Sequence, residues 1–487
     1  MVAIATTNQD SVNERRVWQL GLIALVIFTL AKSLVWGAIN PPLNTGDESA
    51  HLMYVMQVRN YNTLPVFKFA PDCSTGGNST PAEPNTLAYI QASGYAQLAQ
   101  FTSYPYESYQ PPLYYFTAAL VAAPLATNDV DGTIHTGRAL SALLVALTTL
   151  IFAFAVRELT GKPLLSLIVA LLISSIPTFG YYGGVMNNDT MLNLFAASTL
   201  LASLRLIRTP STMLTWGPIL LGALTGGSLL SKASGIALIP ISLLAILLAV
   251  IRVSSTDDKP LKLKALIFSP NTWLKLIVPI LLYGASILVI DGWFMARNLV
   301  EYGDLLGTAD TIKYGAQCWG PTILADGIGN VPRYFMSLAL LTPYSFLATF
   351  GWGDEGVGLP FYYVAIVPLL LICAYLSIRW FRRHLSELAT PQKMGLIVLA
   401  ASALANIVLW ISFNFTIQYQ PTGRYLYMAI LPIGGFFTVG LLISPNNTRL
   451  RTIVIVATLL ILHALTIHGW LFAGTGYMAT HAAQLGK

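Results

Sequence analysis

Long stretches of this 487-residue chain contain apolar residues and no charged residue at all, for example 17–31 and 452–462. A helix needs about 20 mostly apolar residues to cross a membrane, and the chain has many runs of that length. Charged residues make up 10% of the chain, against roughly a quarter in a soluble domain. These features exclude a soluble globular enzyme, a disordered chain and a small disulfide-bonded module. They predict an all-α polytopic membrane protein.

Hydropathy predicts eleven membrane-spanning helices, at residues 17–38, 138–157, 163–183, 189–206, 214–231, 235–252, 276–296, 360–379, 394–414, 425–443 and 452–473. The first run lacks a small-residue cleavage site at its end, so we interpret it as an uncleaved span. The predicted parts of the chain are then a cytoplasmic N-terminus 1–16, the first span 17–38, a first outer loop 39–137, spans two to seven in 138–296, a second outer loop 297–359, spans eight to eleven in 360–473, and an extracytoplasmic C-terminus 474–487.

The positions of the charged residues predict the orientation. With the N-terminus inside, the inner segments hold 17 of the 27 Lys and Arg residues but 6 of the 21 acids. Because cytoplasmic loops collect Lys and Arg, this predicts that the N-terminus lies in the cytoplasm and that both long loops lie on the outer side of the membrane. The net charge of +6 is therefore explained by topology, and we expect no nucleic-acid partner.

The two outer loops are long enough to carry a function, since structureless loops of this length are uncommon. The first has helix-like pieces at 47–60 and 85–101 and a short apolar segment at 113–126, which we interpret as a helix at the membrane interface. The second has a Pro-interrupted apolar segment at 334–348. Each outer loop also has one cysteine, Cys73 or Cys318. One hypothesis is a disulfide between them, since the outer compartment permits oxidation, and the alternative is two free thiols.

Acidic residues at the predicted outer face are the first candidates for chemistry. Asp47 and Glu48 lie four and three residues before His51, so a helix starting near Thr45 would bring all three to one face. Adjacent carboxylates at a dry membrane edge can be tuned as a general base. The alternative is structural, because Thr45-x-x-Glu48 is also a capping-box pattern.

For two further acids at the predicted outer face, a structural role is an alternative to a functional one. Asp189, in Met186-Asn187-Asn188-Asp189, is either a substrate-binding residue or the N-cap of the fourth span. Asp354, in a glycine-rich turn Gly351-Trp352-Gly353-Asp354, is either part of a site or a solvated turn residue.

Basic residues are few at the outer face. A cation near the bilayer is costly unless it snorkels to water or meets an anion, and phosphate suits Arg especially well. The set could therefore bind phosphate or simply anchor helices at the interface: Arg138, Lys232, Arg297, Arg333 and Arg424, with Tyr425 beside the last. The Tyr- and Pro-rich segment 104–115 allows either a sugar-stacking platform or an aromatic belt.

Four short motifs follow one another along the outer face: Gly46-Asp47-Glu48-Ser49-Ala50-His51, Gln110-Pro111-Pro112-Leu113-Tyr114-Tyr115, Phe350-Gly351-Trp352-Gly353-Asp354 and Gly423-Arg424-Tyr425. The first two follow the first span and are themselves followed by Arg138-Ala139-Leu140-Ser141-Ala142-Leu143, the inner Arg157-Glu158-Leu159-Thr160-Gly161 and the outer Asp189. This order resembles the GT-C superfamily of multi-spanning glycosyltransferases, which includes protein mannosyltransferases and lipid A aminoarabinose transferases. The first, third and fourth look closer still to a bacterial family, the domain of unknown function 2142 family. The resemblance covers most of residues 17–443.

The resemblance implies transfer of a hexose or pentose, at the outer face of a bacterial plasma (inner) membrane, from a polyprenyl-phosphate-sugar donor in the membrane lipid to a cell-envelope acceptor, either a glycan, a lipid or a protein. It implies that Asp47, with Glu48 beside it, deprotonates the acceptor or holds a divalent metal, Mg²⁺ or Mn²⁺. No other cofactor is expected. Lys232 and Arg424 would contact the lipid phosphate. The His that commonly precedes Pro-Pro in the superfamily is Gln110 here, so no metal or proton role carries over to that position.

Two other classes of function remain open from the residues themselves. One is a transporter or flippase of lipid-linked sugar, which the absence of a clear inverted repeat disfavours. The other is a non-enzymatic membrane scaffold that binds lipid or a partner through its outer loops.

Overall fold

The computed structural model describes residues 12–43, 45, 47–67, 106–254, 270–314, 317, 331–351, 355–356, 366–417, 419–443 and 448–485. In these residues the chain folds into α-helices α1 Val12–Ile39, α2 Glu48–Tyr61, α3 Leu113–Ala122, α4 Val130–Thr160, α5 Pro163–Ser174, α6 Pro177–Gly183, α7 Asp189–Arg208, α8 Pro210–Met213, α9 Gly217–Ser231, α10 Leu238–Ser254, α11 Pro270–Tyr302, α12 Ala309–Tyr314, α13 Val331–Ala348, α14 Val367–His384, α15 Thr390–Thr416, α16 Ile430–Ile443 and α17 Thr448–Leu485. Shorter elements are the 3₁₀ turns Tyr106–Tyr109, Ala233–Ala237, Leu385–Glu387 and Gly423–Ala429, and an antiparallel pair of strands, β1 Thr349–Phe350 and β2 Glu355–Gly356.

Seven of the described helices are long and apolar enough to cross a membrane, and an eighth span results if the bent pair α5 and α6 is counted as one. The polytopic helical fold is thus confirmed. The predicted total of eleven spans is not confirmed. Two of the remaining predicted spans fall on short helices, because α9 has 15 residues and α16 has 14. The third falls on α14, whose last turn carries Arg382, Arg383 and His384, so the apolar part of this helix is shorter than its 18 residues.

The predicted span 163–183 is not one straight helix. It breaks between Ser174 and Pro177, and the two halves meet at an angle of 74°. Proline lacks a backbone N–H and clashes with the preceding turn, so a helix readily ends before it and restarts with it. The apolar run gave no sign of this bend.

The helices of the first loop pack onto the bundle as a separate apolar cluster. Residues of α2 and α3 contact α4 there, and the rings of Tyr54 and Tyr115 stack at 3.7 Å between centroids. This confirms the helices predicted at 47–60 and 113–126, the second shorter than expected. The interfacial location of α3 remains a prediction. The larger core lies deeper in the bundle, around Phe152, Phe179 and Tyr427.

One end of the bundle gathers the start of α2, the starts of α4 and α7, and the end of α9; we call it the site end. Hydrogen bonds tie these termini together, for example from Asn188 to the Ser231 carbonyl oxygen at 3.2 Å. The opposite end holds basic clusters. There Glu158 forms salt bridges with Arg205 and Arg208 at 3.5 and 3.2 Å.

Candidate active site

Asp47 lies at the site end, immediately before α2. Its backbone is in the left-handed region, with φ 73°, which is uncommon for residues other than glycine although Asp tolerates it. The side chain does not cap α2. It forms a salt bridge with Arg424 instead. The unusual backbone conformation thus accompanies a carboxylate directed away from its own helix, as at many functional sites.

Arg424 lies in the 3₁₀ turn before α16, between two tyrosine rings. Its guanidinium carbon is 5.3 Å from the ring centre of Tyr182 and 5.0 Å from that of Tyr425, within the range of cation–π attraction. Its Nη2 also donates to the Tyr425 hydroxyl at 3.2 Å. Its Nε is buried and has no hydrogen-bond partner among the described residues. Arg424 therefore retains a donor for a bound anion.

Lys232 lies between α9 and the following 3₁₀ turn and pairs with Asp189, the first residue of α7, at 2.6 Å. Its ammonium group is also 5.4 Å from the ring centre of Tyr425. The Tyr425 ring therefore has both cations, Lys232 and Arg424, beside it. Asp189 is not the N-cap of α7, since Asn188 occupies that position. The structure thus brings four predicted residues together: Asp47, Asp189, Lys232 and Arg424.

A cavity opens beside these charges. Asp189, Lys232 and Arg424 line one part of it. The rest is mostly apolar and is lined by residues that include Leu192, Ile236, Leu306, Trp410, Phe413 and Met428. A charged head beside a long apolar wall matches the two parts of an amphipathic ligand.

Arg138 is buried below the site and does not join this cluster. Its Nε and Nη2 donate to the Glu48 carboxylate at 2.8 and 2.7 Å. Its Nη1 and Nη2 also donate to the carbonyl oxygens of Gly37, Asn40 and Pro41 at 2.8, 2.7 and 3.1 Å. Five acceptors match the five N–H donors of an arginine, which leaves none for phosphate. This favours a structural role for Arg138 over the predicted phosphate contact.

The Glu48 carboxylate is also held by several hydrogen bonds. Besides Arg138, it accepts the backbone N–H groups of Leu43 at 2.9 Å and Met186 at 3.1 Å. Burial acts to raise the pKa of Glu48, but the Arg138 guanidinium and these N–H donors hold that pKa below its ordinary value. The side chain is fully buried, with 0% exposure. Glu48 therefore joins α1, α2, α4 and the start of α7, and the capping box proposed for Thr45 and Glu48 does not form.

His51 is buried in α2 and forms a hydrogen bond of 2.8 Å between Nδ1 and the Tyr115 hydroxyl. Burial lowers the pKa of its imidazole to about 4, so the ring is neutral at neutral pH. Its predicted role in binding substrate remains a prediction. The contact with Tyr115 shows what the ring does locally, which is to join α2 to α3.

Glu107 is a site residue that sequence reasoning missed. It lies in the 3₁₀ turn Tyr106–Tyr109, is 8% exposed, and its Oε2 has no hydrogen-bond partner among the described residues. Its carboxyl pKa is raised to about 8, mainly by burial and also by the charge of Asp47, while Lys232 and Arg424 act to lower it. The available signal was a lone acid inside the Tyr- and Pro-rich segment 104–115, which we had considered for its aromatic rings alone.

Glu107 should make the stability of the protein fall as the pH rises from about 4.5 to about 8. Its folded-state pKa of about 8 lies above the ordinary 4.5, so the folded protein holds this proton more tightly than the unfolded chain. That contribution is complete below about pH 4.5 and is lost as the pH rises through about 8. We expect Glu107→Gln to gain thermal stability relative to wild type between about pH 5 and 8, measured by unfolding in detergent. An unchanged difference across that interval would contradict the assignment.

The remaining predicted residues lie elsewhere. Arg297 donates to the Pro65 carbonyl oxygen at 2.8 Å. It thereby holds the end of the described stretch 47–67 of the first loop against α11. Arg333 is exposed at the start of α13. Asp354, Cys73 and Cys318 lie outside the described residues, so the proposed disulfide and the role of Asp354 stay predictions.

Asp47 and Glu48 were also predicted as a pair of ligands for a divalent metal. Their carboxylates turn to different guanidinium groups, those of Arg424 and Arg138. Among the described residues no group of three or more His, Cys, Asp or Glu side chains is arranged to hold a metal ion. The pair therefore does not fit a shared ion.

A family profile matches residues 30–434, which include the four charged residues of the site. The chain belongs to the family described as Predicted membrane protein (DUF2142). This agrees with the resemblance of the Asp47 and Arg424 motifs. No curated protein gives a significant match to the sequence.

The chain is also similar to solved membrane enzymes. The apo oligosaccharyltransferase of Archaeoglobus fulgidus matches with a TM-score of 0.47 and 13% identity, over 94% of this chain and 56% of that protein. ArnT from Cupriavidus metallidurans, solved with undecaprenyl phosphate, matches with a TM-score of 0.49 and 14% identity, over 93% of this chain and 74% of ArnT. This chain thus spans little more than half the length of the archaeal enzyme.

Proposed function

We propose that this protein is an integral membrane glycosyltransferase that moves a sugar from a polyprenyl-phosphate-linked donor to a cell-envelope acceptor, with inversion at the anomeric carbon. The reaction would take place at the site end, on the extracytoplasmic side. The observation that carries the proposal is the convergence of Lys232 and Arg424 on Tyr425, at the mouth of a cavity whose other walls are mostly apolar.

The two cations would bind the phosphate of the donor. In the described state each is paired with a carboxylate, Arg424 with Asp47 and Lys232 with Asp189. The charges of these four groups balance, so a phosphate would enter by competing with the carboxylates for the cations. Arg424 suits this exchange because its Nε has no partner among the described residues and because a guanidinium binds phosphate bidentately.

The apolar part of the cavity would hold the first isoprene units of the lipid. Its walls come from α7, the 3₁₀ turn Ala233–Ala237, α15 and the segment around Leu306, so a prenyl chain would lie between helices, away from water. Apolar surface removed from water in this way contributes about 25 cal/mol per Å². This wall distinguishes a lipid-linked donor from a soluble sugar nucleotide.

Asp47 would act as the general base. Its side chain is 19% exposed, whereas that of Glu48 is 0% exposed, so only Asp47 of the pair can meet an acceptor hydroxyl. While Asp47 is paired with Arg424 it is a weak base. A donor phosphate that takes over Arg424 would release Asp47 for the acceptor, so donor binding would activate the base.

The chemical step is a single displacement. Asp47 takes the proton of the acceptor hydroxyl, the acceptor oxygen forms the new bond to the anomeric carbon, and the bond from that carbon to the phosphate oxygen breaks. The phosphate leaves on the lipid with one more negative charge. Lys232 and Arg424 would stabilise that charge where it develops. Electrostatic stabilisation of this kind is usually the largest single contribution to catalysis.

The experiment that tests the proposal measures undecaprenyl phosphate release by the purified protein from undecaprenyl-phosphate-linked pentose and hexose donors, with a cell-envelope extract as acceptor. Release together with acceptor labelling supports the transferase. In proteoliposomes, movement of the donor across the bilayer without its consumption would identify a transporter and overturn the proposal. Binding without either outcome would identify a scaffold and would also overturn it.

Arg424→Gln should weaken the binding of undecaprenyl phosphate by roughly 10- to 100-fold, since a hydrogen bond to a charged group contributes about 1.5–3 kcal/mol. The matched control is Arg382→Gln, the same change at an exposed arginine in the last turn of α14, which should leave affinity unchanged. Affinity is measured by titration of the detergent-solubilised protein. Equal affinities for the two variants would remove Arg424 from the phosphate site.

A further inference from the structure

Lys32 is a buried cation inside the first span. It lies in α1 and is 4% exposed. Among the described residues no carboxylate pairs with it. A cation inside a membrane is costly unless its donors are satisfied, and such residues are usually retained for a function.

The ammonium group of Lys32 is held at the break between α5 and α6. It donates to the carbonyl oxygens of Ser174 at 2.5 Å and Ile176 at 3.0 Å. A helix leaves its last carbonyl groups without intrahelical partners, and a cation at that end also meets the negative pole of the helix dipole. Lys32 therefore satisfies the Ser174 carbonyl oxygen at the end of α5, and it shares the Ile176 carbonyl oxygen with the Gly180 backbone N–H, which donates to it at 3.3 Å.

The side chain of Lys32 also packs against α6 itself. A Cβ atom added at Gly180 would lie 2.1 Å from Lys32 Cε, so glycine at this position is what lets the lysine pass. The lysine thus contacts both sides of the break. Its contacts therefore tie α1 to both α5 and α6.

The short helix α6 connects this break to the proposed phosphate site. Tyr182, near its end, lies under the guanidinium of Arg424 at 5.3 Å. The helix is also held on another side, because Thr178 Oγ1 accepts the Thr349 backbone N–H at 2.9 Å and the Tyr181 hydroxyl accepts that of Gly351 at 2.8 Å. The direction of α6 therefore decides where Tyr182 meets Arg424.

We infer that Lys32 is a positioning residue: by capping the break between α5 and α6, it fixes α6 and so holds Tyr182 beneath Arg424. The positional part of this inference concerns the helices alone. Its consequence for phosphate affinity rests on the proposed function. The two parts call for separate measurements.

The positional part is tested by hydrogen exchange in Lys32→Met and Gly180→Ala. The first removes the ammonium group, and the second keeps it but displaces it from the carbonyls. The matched control is Gly284→Ala, a change of the same kind in α11 at a glycine with nothing within 4 Å. We expect faster exchange at 177–188 and 423–429 in both test variants and wild-type exchange in the control. Wild-type exchange in these segments would overturn the inference, and Gly180→Ala decides it if Lys32→Met does not fold.

The functional part is tested by the affinity of the same variants for undecaprenyl phosphate. Losing a well-placed cation–π contact corresponds to a roughly tenfold larger dissociation constant. The double variant Lys32→Met with Tyr182→Leu should bind no more weakly than either single variant. Additive effects would contradict action through Tyr182. If the wild-type protein bound no polyprenyl phosphate, but hydrogen exchange at 177–188 still rose in the two test variants, the proposed function would fail and the positioning by Lys32 would stand.

Discussion

Asp47→Asn is expected to abolish sugar transfer while the protein stays folded. A positioned general base typically contributes about 10²- to 10⁴-fold to a rate, and asparagine cannot accept the acceptor's proton. Asparagine tolerates the left-handed backbone of this position about as well as aspartate does, so the φ of 73° need not change. Turnover is measured as undecaprenyl phosphate released by equal amounts of purified protein.

The control for this prediction is Asp310→Asn. Asp310 is an acid of α12, in the predicted second outer loop, and pairs at 3.2 Å with a Lys313 side chain that is 62% exposed. Exposed pairs of this kind contribute about 0–1 kcal/mol, so the control should keep both stability and turnover. Wild-type turnover in Asp47→Asn would remove the base from the mechanism, whatever the control does.

Arg138→Met is expected to cause the largest loss of stability. It leaves the buried Glu48 carboxylate without its counter-charge, and breaking a buried ion pair in this way costs about 3–5 kcal/mol. It also leaves the carbonyl oxygens of Gly37, Asn40 and Pro41 without their donor. Unfolding in detergent, followed by tryptophan fluorescence, measures the loss.

Two comparisons make this prediction specific. The double variant Arg138→Met with Glu48→Gln should lose less stability than Arg138→Met alone, because no uncompensated charge remains buried. Arg208→Met breaks a pair with Glu158 whose arginine is 52% exposed, and it should cost about 0–1 kcal/mol. If Arg138→Met kept wild-type stability but lost phosphate affinity, Arg138 would be a phosphate ligand, as the sequence predicted.

The spans and the first-loop helices could be predicted because their signals are local. A run of about 20 apolar residues is visible in the sequence without any knowledge of what surrounds it. The bend before Pro177 could not be predicted in the same way, because its stabilising partner, Lys32, is more than 140 residues away. A proline in an apolar run permits a bend, but a distant donor makes this one persist.

The site was predicted as a set of residues, and the pairings within the set were not. Isolated outer charges drew attention to Asp47, Asp189, Lys232 and Arg424, and these lie together. Adjacency in sequence led to one wrong expectation. Asp47 and Glu48 were expected to act together, but Asp47 pairs with Arg424 and Glu48 with Arg138. Glu107 was missed because its importance comes from burial beside other charges, which a lone acid among tyrosines does not reveal.

The central claim is that a lipid phosphate binds between Lys232 and Arg424 at the site end of the bundle. Cryo-electron microscopy of the protein in nanodiscs with undecaprenyl phosphate tests it most directly. The account predicts phosphate density within hydrogen-bonding distance of both side chains, with Asp47 released from Arg424 and the prenyl chain along the cavity wall near Trp410 and Phe413. Phosphate density at the opposite end, among Arg205, Arg208 and Arg252, would contradict it.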